Sequence, residues 1–163
     1  MARDTWLITG ASAGLGALFA ERAAAEGHDV ILVARRADRL EALAAKIRAT
    51  GVSANVIACD LAASGAVAGL MREIAARGLA VNTLVNNAGF GVRGAFVQGD
   101  GAVQAEMIDL NCRALVELAH AVLPGMVKMR RGGILNVAST AAFQPGPGMA
   151  VYYATKADRK SVV

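Results

Sequence analysis

At 163 residues the chain is long enough for one domain with a substantial core. A 55% hydrophobic share with only 4% aromatic residues points to closely packed small side chains and excludes a disordered chain. The net charge of +4 does not indicate nucleic acid, because basic residues sit among acidic ones (Glu21-Arg22, Asp38-Arg39, Arg72-Glu73), as on solvated helix faces.

The N-terminal Met1-Ala2-Arg3-Asp4 runs straight into Trp6-Leu7-Ile8 with no signal-peptide layout, and a first strand is expected over residues 5–9. The stretch Thr9-Gly10-Ala11-Ser12-Ala13-Gly14-Leu15-Gly16 follows and opens a helix over 14–26. Glycines there allow a tight turn and a close backbone approach, and a helix N-terminus presents free N–H groups and a favourable dipole to an anion. Gly10, Ser12, Ala13, Gly14, Leu15 and Gly16 are therefore candidate contacts for the pyrophosphate of a dinucleotide. The spacing is G-x-x-x-G-x-G rather than the commoner G-x-G-x-x-G.

A second strand is expected over 29–33. Its end carries Val33-Ala34-Arg35-Arg36, with no acidic residue before Asp38 to hold a ribose 2′-hydroxyl. A guanidinium grips a 2′-phosphate through paired hydrogen bonds, so Arg35 and Arg36 favour NADP over NAD. A helix over 37–49 and a third strand over 54–58 lead to Asp60 and Leu61. Asp60 is placed either to reach an adenine ring or to cap the next helix, over 64–77. A fourth strand over 83–86 runs into Asn86-Asn87-Ala88-Gly89.

A long helix over 102–130 follows, with Val103, Met107, Leu110, Ala114, Leu118, Val122, Met126 and Met129 on one stripe and a kink expected at Pro124. A fifth strand over 133–138 ends at Ser139. Thirteen residues on, Tyr152-Tyr153-Ala154-Thr155-Lys156 sets a phenol and an ammonium four residues apart, on one face if helical. A cation beside a phenol favours its ionised form, which is how tyrosine becomes a general acid/base. Bringing a phenol from about 10 to near 7 requires about 4 kcal/mol, whereas an exposed i,i+4 pair contributes only about 0.3–0.5 kcal/mol, so the pair must sit in a water-poor cleft.

The five apolar runs lack polar alternation, as strands covered on both faces do. Alternation of strand and helix implies an α/β fold: a Rossmann-type, doubly wound parallel sheet with helices on both faces. No stretch approaches the roughly 20 apolar residues of a membrane span. Cys59, Cys112, His28 and His120 are isolated, so no metal site and no disulfide framework are expected. A cytoplasmic protein without nucleic-acid or membrane partners is the expectation.

Taken together, these motifs resemble the short-chain dehydrogenase/reductase family, from the first strand to about Ala157. Thr9 through Gly16 is similar to that family's TGxxxGxG loop, Asn86 through Gly89 to its NNAG motif, and Tyr152-x-x-x-Lys156 to its catalytic pair. The resemblance implies hydride transfer between NADP and a small-molecule carbonyl or alcohol. It makes Tyr152 the general acid/base, and Ser139 the group that shares the charge on the reacting oxygen. Lys156 would bind the nicotinamide ribose and favour the phenolate. Asn111 would anchor a water linking Lys156 to solvent. Tyr152, Lys156, Asn87, Ala88 and Gly89 join the expected cofactor contacts. A homodimer or homotetramer is implied for a full-length protein, and Tyr153 is assigned to packing.

The chain departs from that family in lacking its last strands. Residues 1–157 are read as an incomplete NAD(P)-binding domain. Residues 158–163, Asp-Arg-Lys-Ser-Val-Val, are read as a tail not native to the gene, because one frame of a sequencing-library adapter encodes the same residues. On that reading the chain is an N-terminal fragment, poorly soluble or inactive. The alternative is a non-catalytic dinucleotide-binding sensor of the same fold, which would not need Asn111, Ser139, Tyr152 and Lys156. The loops 89–94 and 143–147 supply only the near walls of a substrate site, one open to apolar carbonyls.

Overall fold

The apolar runs form five strands in a computed structural model that describes residues 3–159. They are β1 (Thr5–Thr9), β2 (Asp29–Ala34), β3 (Ala54–Ala58), β4 (Thr83–Asn86) and β5 (Gly133–Asn136), all parallel, in the order β3-β2-β1-β4-β5. Leu7 stands opposite Ile31 and Leu84, and Ile8 opposite Leu32 and Val85. Because successive residues of a strand face opposite sides, Leu7, Ile31, Val33, Ile57 and Leu84 enter one core while Ile8, Val30, Leu32, Ala54 and Val85 enter the other.

Among the described residues there are six α-helices: α1 (Gly14–Ala25), α2 (Ala37–Arg48), α3 (Ala66–Ala76), α4 (Gly101–Ile108), α5 (Ala114–Met129) and α6 (Ala150–Asp158). Helices α1 and α2 close one face through Ala20, Ala23, Leu40, Leu43, Ala44 and Ile47. Helices α3 and α5 close the other through Val67, Leu70, Ile74, Ala114, Leu118 and Val122. Each fully buried aliphatic side chain contributes about 1.5–3 kcal/mol, so the strand residues buried on both faces are the chief reason the sheet holds. The chain leaves β1 toward β2 and β3, then returns past β1 to β4. The carboxyl ends of β1 and β4 therefore flank the point where strand order reverses, where open α/β sheets bind ligands.

One expectation changes. The stretch 102–130 is not one helix: residues 109–113 form a π-helical turn between α4 and α5. The apolar stripe runs through that turn without losing its three- and four-residue steps, which hides the break. Pro124 lies inside α5. At the other end α6 extends through Asp158, the first residue of the span read as a tail, and residues 160–163 of that span lie outside the described residues.

Candidate active site and cofactor cleft

A cleft of about 540 Å³ opens at the carboxyl ends of β1 to β4, within the range that holds a small ligand. Its glycine loop is built by close approach. Gly10 has φ +68°, and a Cβ there would stand 2.8 Å from Asn87 Nδ2; a Cβ on Gly16 would stand 2.6 Å from the same atom. Only glycine fits both places. The hydroxyl of Thr9, 1% exposed, accepts from the N–H groups of Asn87 and Ala88, each at 3.0 Å, and donates to Val85 O at 3.1 Å. Asn87 Nδ2 in turn donates to Thr9 O at 2.9 Å. The Asn-Asn-Ala-Gly segment thus locks the end of β4 onto the glycine turn, while Asn86 Nδ2 donates to Asn136 Oδ1 at 3.0 Å and ties β4 to β5.

Gly10, Ser12, Ala13 and Leu15 line the cleft on the glycine-loop side, Arg35 and Arg36 at the end of β2, Asp60 and Leu61 after β3, and Asn87, Ala88 and Gly89 after β4. Gly14 and Gly16 do not line it; Gly16 is buried behind the loop, against Gly10 O. Four lining residues were not anticipated: Ala34, Cys59, Phe90 and Leu110. Three of them adjoin predicted residues, at positions 35, 60 and 89. Leu110 neighbours Asn111, but its side of the helix is set by the π turn. Asp60 Oδ1 accepts from Ala62 N at 3.1 Å, so it caps the turn before α3, whose own N-cap is Gly65, while still facing the cleft.

The two arginines have different partners. Arg36 Nη2 donates to the neutral Ser12 Oγ at 2.9 Å, and Arg35 Nη1 lies 3.5 Å from the Glu106 carboxylate. A glycine cradle, the N-terminus of α1 and a guanidinium beside a loop hydroxyl fit a dinucleotide that carries a 2′-phosphate.

The candidate catalytic residues lie beside this cleft rather than in its lining. Tyr152 and Lys156 share a face of α6, with Lys156 Nζ 5.7 Å from the centre of the Tyr152 ring. Lys156 is 6% exposed and donates to Val137 O at 3.2 Å; Val137 N donates to Asn86 O, next to the lining residues 87–89. Burial, reinforced by the Arg159 charge, pulls the Lys156 ammonium down from 10.5 to about 8. Ser139 Oγ accepts from Ala141 N at 3.2 Å and begins the 3₁₀ turn 140–143, which packs against α6. Tyr153 meets the Tyr152 ring edge-on, with centroids 6.5 Å apart, in keeping with a packing role.

Asn111 is fully buried in the π turn. Its Nδ2 donates to Phe90 O at 2.9 Å and to Thr155 Oγ1 at 3.0 Å, and its Oδ1 accepts from Phe90 N at 3.1 Å. The side chain therefore ties the loop after β4 to α6. Its backbone carbonyl accepts from Arg159 Nε at 3.0 Å.

Arg159 is the residue that sequence reasoning missed. It is 3% exposed, and besides Asn111 O its guanidinium reaches Asn86 O at 3.0 Å, Val137 O at 3.2 Å and Ala88 O. Burial lowers its proton affinity. The spacing 152, 156, 159 was a readable signal, since residues three and four apart share a helix face.

A family model described as short chain dehydrogenase matches residues 4–162. The NADP-dependent 3-hydroxy acid dehydrogenase YdfG of Salmonella typhi is 39% identical over 153 residues, which cover 93% of this chain and 60% of that protein. The sulfoacetaldehyde reductase of Chromohalobacter salexigens is 38% identical over 156 residues, covering 94% and 61%. Among solved structures, a short-chain dehydrogenase from Sphingobium yanoikuyae in complex with NADPH superposes with a TM-score of 0.88 at 43% identity, covering 95% of this chain and 60% of that one. The bulky-bulky ketone specific alcohol dehydrogenase from Comamonas testosteroni gives 0.90 at 38% identity, covering 97% and 64%. The chain thus spans about three fifths of the length of the curated relatives it matches.

Proposed function

The chain belongs to the short chain dehydrogenase family, and on that premise we propose that it carries the cofactor cleft and the proton-transfer residues of an NADP-dependent oxidoreductase acting on a carbonyl/alcohol pair. The activity is proposed for a protein of the relatives' length. The observation that carries it is Lys156, buried and poised over the Tyr152 ring, on a helix that abuts the carboxyl ends of β4 and β5.

NADP, when bound, supplies or takes up the hydride. Gly10, Ser12, Ala13 and Leu15, which line the cleft, would hold its pyrophosphate by loop backbone and helix N-terminus, while Gly14 and Gly16 shape the loop. Arg36, with Ser12, would take the 2′-phosphate, joined by Arg35. Asp60 and Leu61 would flank the adenine, and Asn87, Ala88 and Gly89 the segment beside β4. That several matched relatives and structures are named for NADP or NADPH supports this choice over NAD.

Tyr152 hands its proton to the carbonyl oxygen in reduction and removes one from the alcohol in oxidation. A buried ammonium near its ring stabilises the phenolate far better than an exposed pair does, because solvent screens it less. Lys156 has three donors and spends one on Val137 O, leaving others for the nicotinamide ribose. Ser139 is held by Ala141 N as an acceptor, and its hydroxyl also carries a proton with which to share the charge on the reacting oxygen. Asn111 acts through position, holding the Phe90 loop against Thr155 of α6. Exposed Ile108, Val116, Leu123 and Val127 on α4 and α5 support a homo-oligomer. Among the described residues, no helix is long and apolar enough to cross a membrane.

Replacing Tyr152 with Phe in the complete gene product tests the reading. Turnover should be lost while NADP binding is retained; unchanged turnover would refute a proton-transfer role for Tyr152.

A further inference from the structure

The two arginines that close the adenosine end of the cleft are not electrostatically equivalent. Arg36 pairs with a neutral hydroxyl, so its positive charge stays uncompensated toward an incoming anion. Arg35 also lines the cleft, yet its guanidinium is paired with the carboxylate of Glu106, which α4 presents across the rim. Leu110, four residues beyond Glu106, lines the same cleft, so this part of the α4 side borders the ligand space. Both members of the pair are solvated, at 64% and 40% side-chain exposure, and the contact at 3.5 Å is loose.

Resting on the NADP reading above, we infer that Glu106 is a specificity-determining residue that competes with the cofactor's 2′-phosphate for Arg35. A 2′-phosphate carries more negative charge than a carboxylate and offers a planar guanidinium several oxygens. Arg35 therefore exchanges Glu106 for the phosphate on binding, and part of the gain is offset by the pair given up. A 2′-hydroxyl gains nothing from that exchange. Glu106 thus narrows the gap between NADP and NAD that Arg35 and Arg36 open, and it acts through Arg35 without touching the reacting atoms. Exposed ion pairs are weak, so the competition is worth about a two- to fivefold change in affinity.

Calorimetry on the full chain with adenosine 2′,5′-bisphosphate and 5′-AMP as probes tests this at low and moderate salt. Glu106→Gln should tighten the bisphosphate by about two- to fivefold and leave 5′-AMP unchanged, with the difference shrinking as salt rises. Glu106→Asp should stay nearer the parent than Glu106→Gln does. In an Arg35→Gln background the gain from Glu106→Gln should vanish. An unchanged bisphosphate affinity in Glu106→Gln overturns the inference, as does an equal gain for 5′-AMP or a gain that persists without Arg35. A parent chain that binds both probes equally would overturn the NADP reading itself, a separate outcome from Glu106→Gln having no effect in a parent that does discriminate.

Discussion

The ring of Tyr152 lies against the backbone of Gly91, so closely that a Cβ at position 91 would stand 2.6 Å from Tyr152 Cδ2. Carbon atoms do not approach that far without displacement, and the atoms met are Cδ2, Cγ and Cε2 of the ring itself. The ring must therefore shift if residue 91 has a side chain. We expect Gly91→Ala in the complete gene product to lower kcat by about 10- to 100-fold, the scale of a misplaced catalytic group. NADP affinity should hold, because residue 91 does not line the cleft. Steady-state kinetics beside a binding titration checks it; a variant with parental kcat would show that the ring position is not held by this contact.

Thr9 makes the same kind of commitment for the cofactor loop. Its buried hydroxyl accepts from two backbone N–H groups and donates to a third residue. Thr9→Val keeps the shape but leaves the Asn87 and Ala88 N–H groups without that acceptor. A loss of about 2–3 kcal/mol in unfolding free energy is expected from urea denaturation, together with weaker NADP binding because Ala88 lines the cleft. Thr9→Ser retains the hydroxyl and should recover most of both.

The strands and the glycine loop were legible because each rests on a local pattern: unbroken apolar runs for a sheet covered on both faces, and glycines between a strand and a helix. The Tyr152–Lys156 relation was legible for the same reason, being one helical turn. What could not be read depends on tertiary closure. The π turn at 109–113 preserves the apolar stripe of α4 and α5, so periodicity passes over it. That Arg36 would meet Ser12 while Arg35 would meet Glu106 depends on how β2, the glycine loop and α4 converge. Arg159 reads as part of the tail 158–163, because that span lacks the apolar spacing of a helix packed on the sheet. Its burial follows from four backbone carbonyls that converge where β4, β5 and the π turn end.

That convergence gives the next prediction. Arg159→Ala leaves the carbonyls of Asn86, Ala88, Asn111 and Val137 without the guanidinium and opens a cavity beneath α6. A loss of about 2–4 kcal/mol is expected, part from unsatisfied acceptors and part from lost packing. Arg159→Lys keeps the charge but presents a point donor, not a planar fork, and should recover little. Denaturant midpoints of the three chains check this.

Lys156 makes stability depend on pH with a definite sign. Its ammonium is pulled from 10.5 in the unfolded chain to about 8 in the folded one, first by burial and then by Arg159. Between those values the folded state binds fewer protons, so stability must rise with pH. Below about 8 both states are protonated and the penalty is fully present; above 10.5 it is gone. Cys112 works the other way, because burial, foremost, and the neighbouring Asp158 push its thiol from 9.0 up to about 11, which costs stability as pH climbs from 9. The window from 8 to 9 therefore isolates the lysine, and Lys156→Met removes its titration while leaving Cys112 in place. Relative to Lys156→Met, the parent chain should gain on the order of 1–2 kcal/mol between pH 8 and 10.5, after discounting for solvent that reaches the ammonium. Urea unfolding of both chains across that range measures the difference. A parallel pair of curves would mean that Lys156 is as well solvated in the folded chain as in the unfolded one, and the dry setting required for it to stabilise the Tyr152 phenolate would be lost.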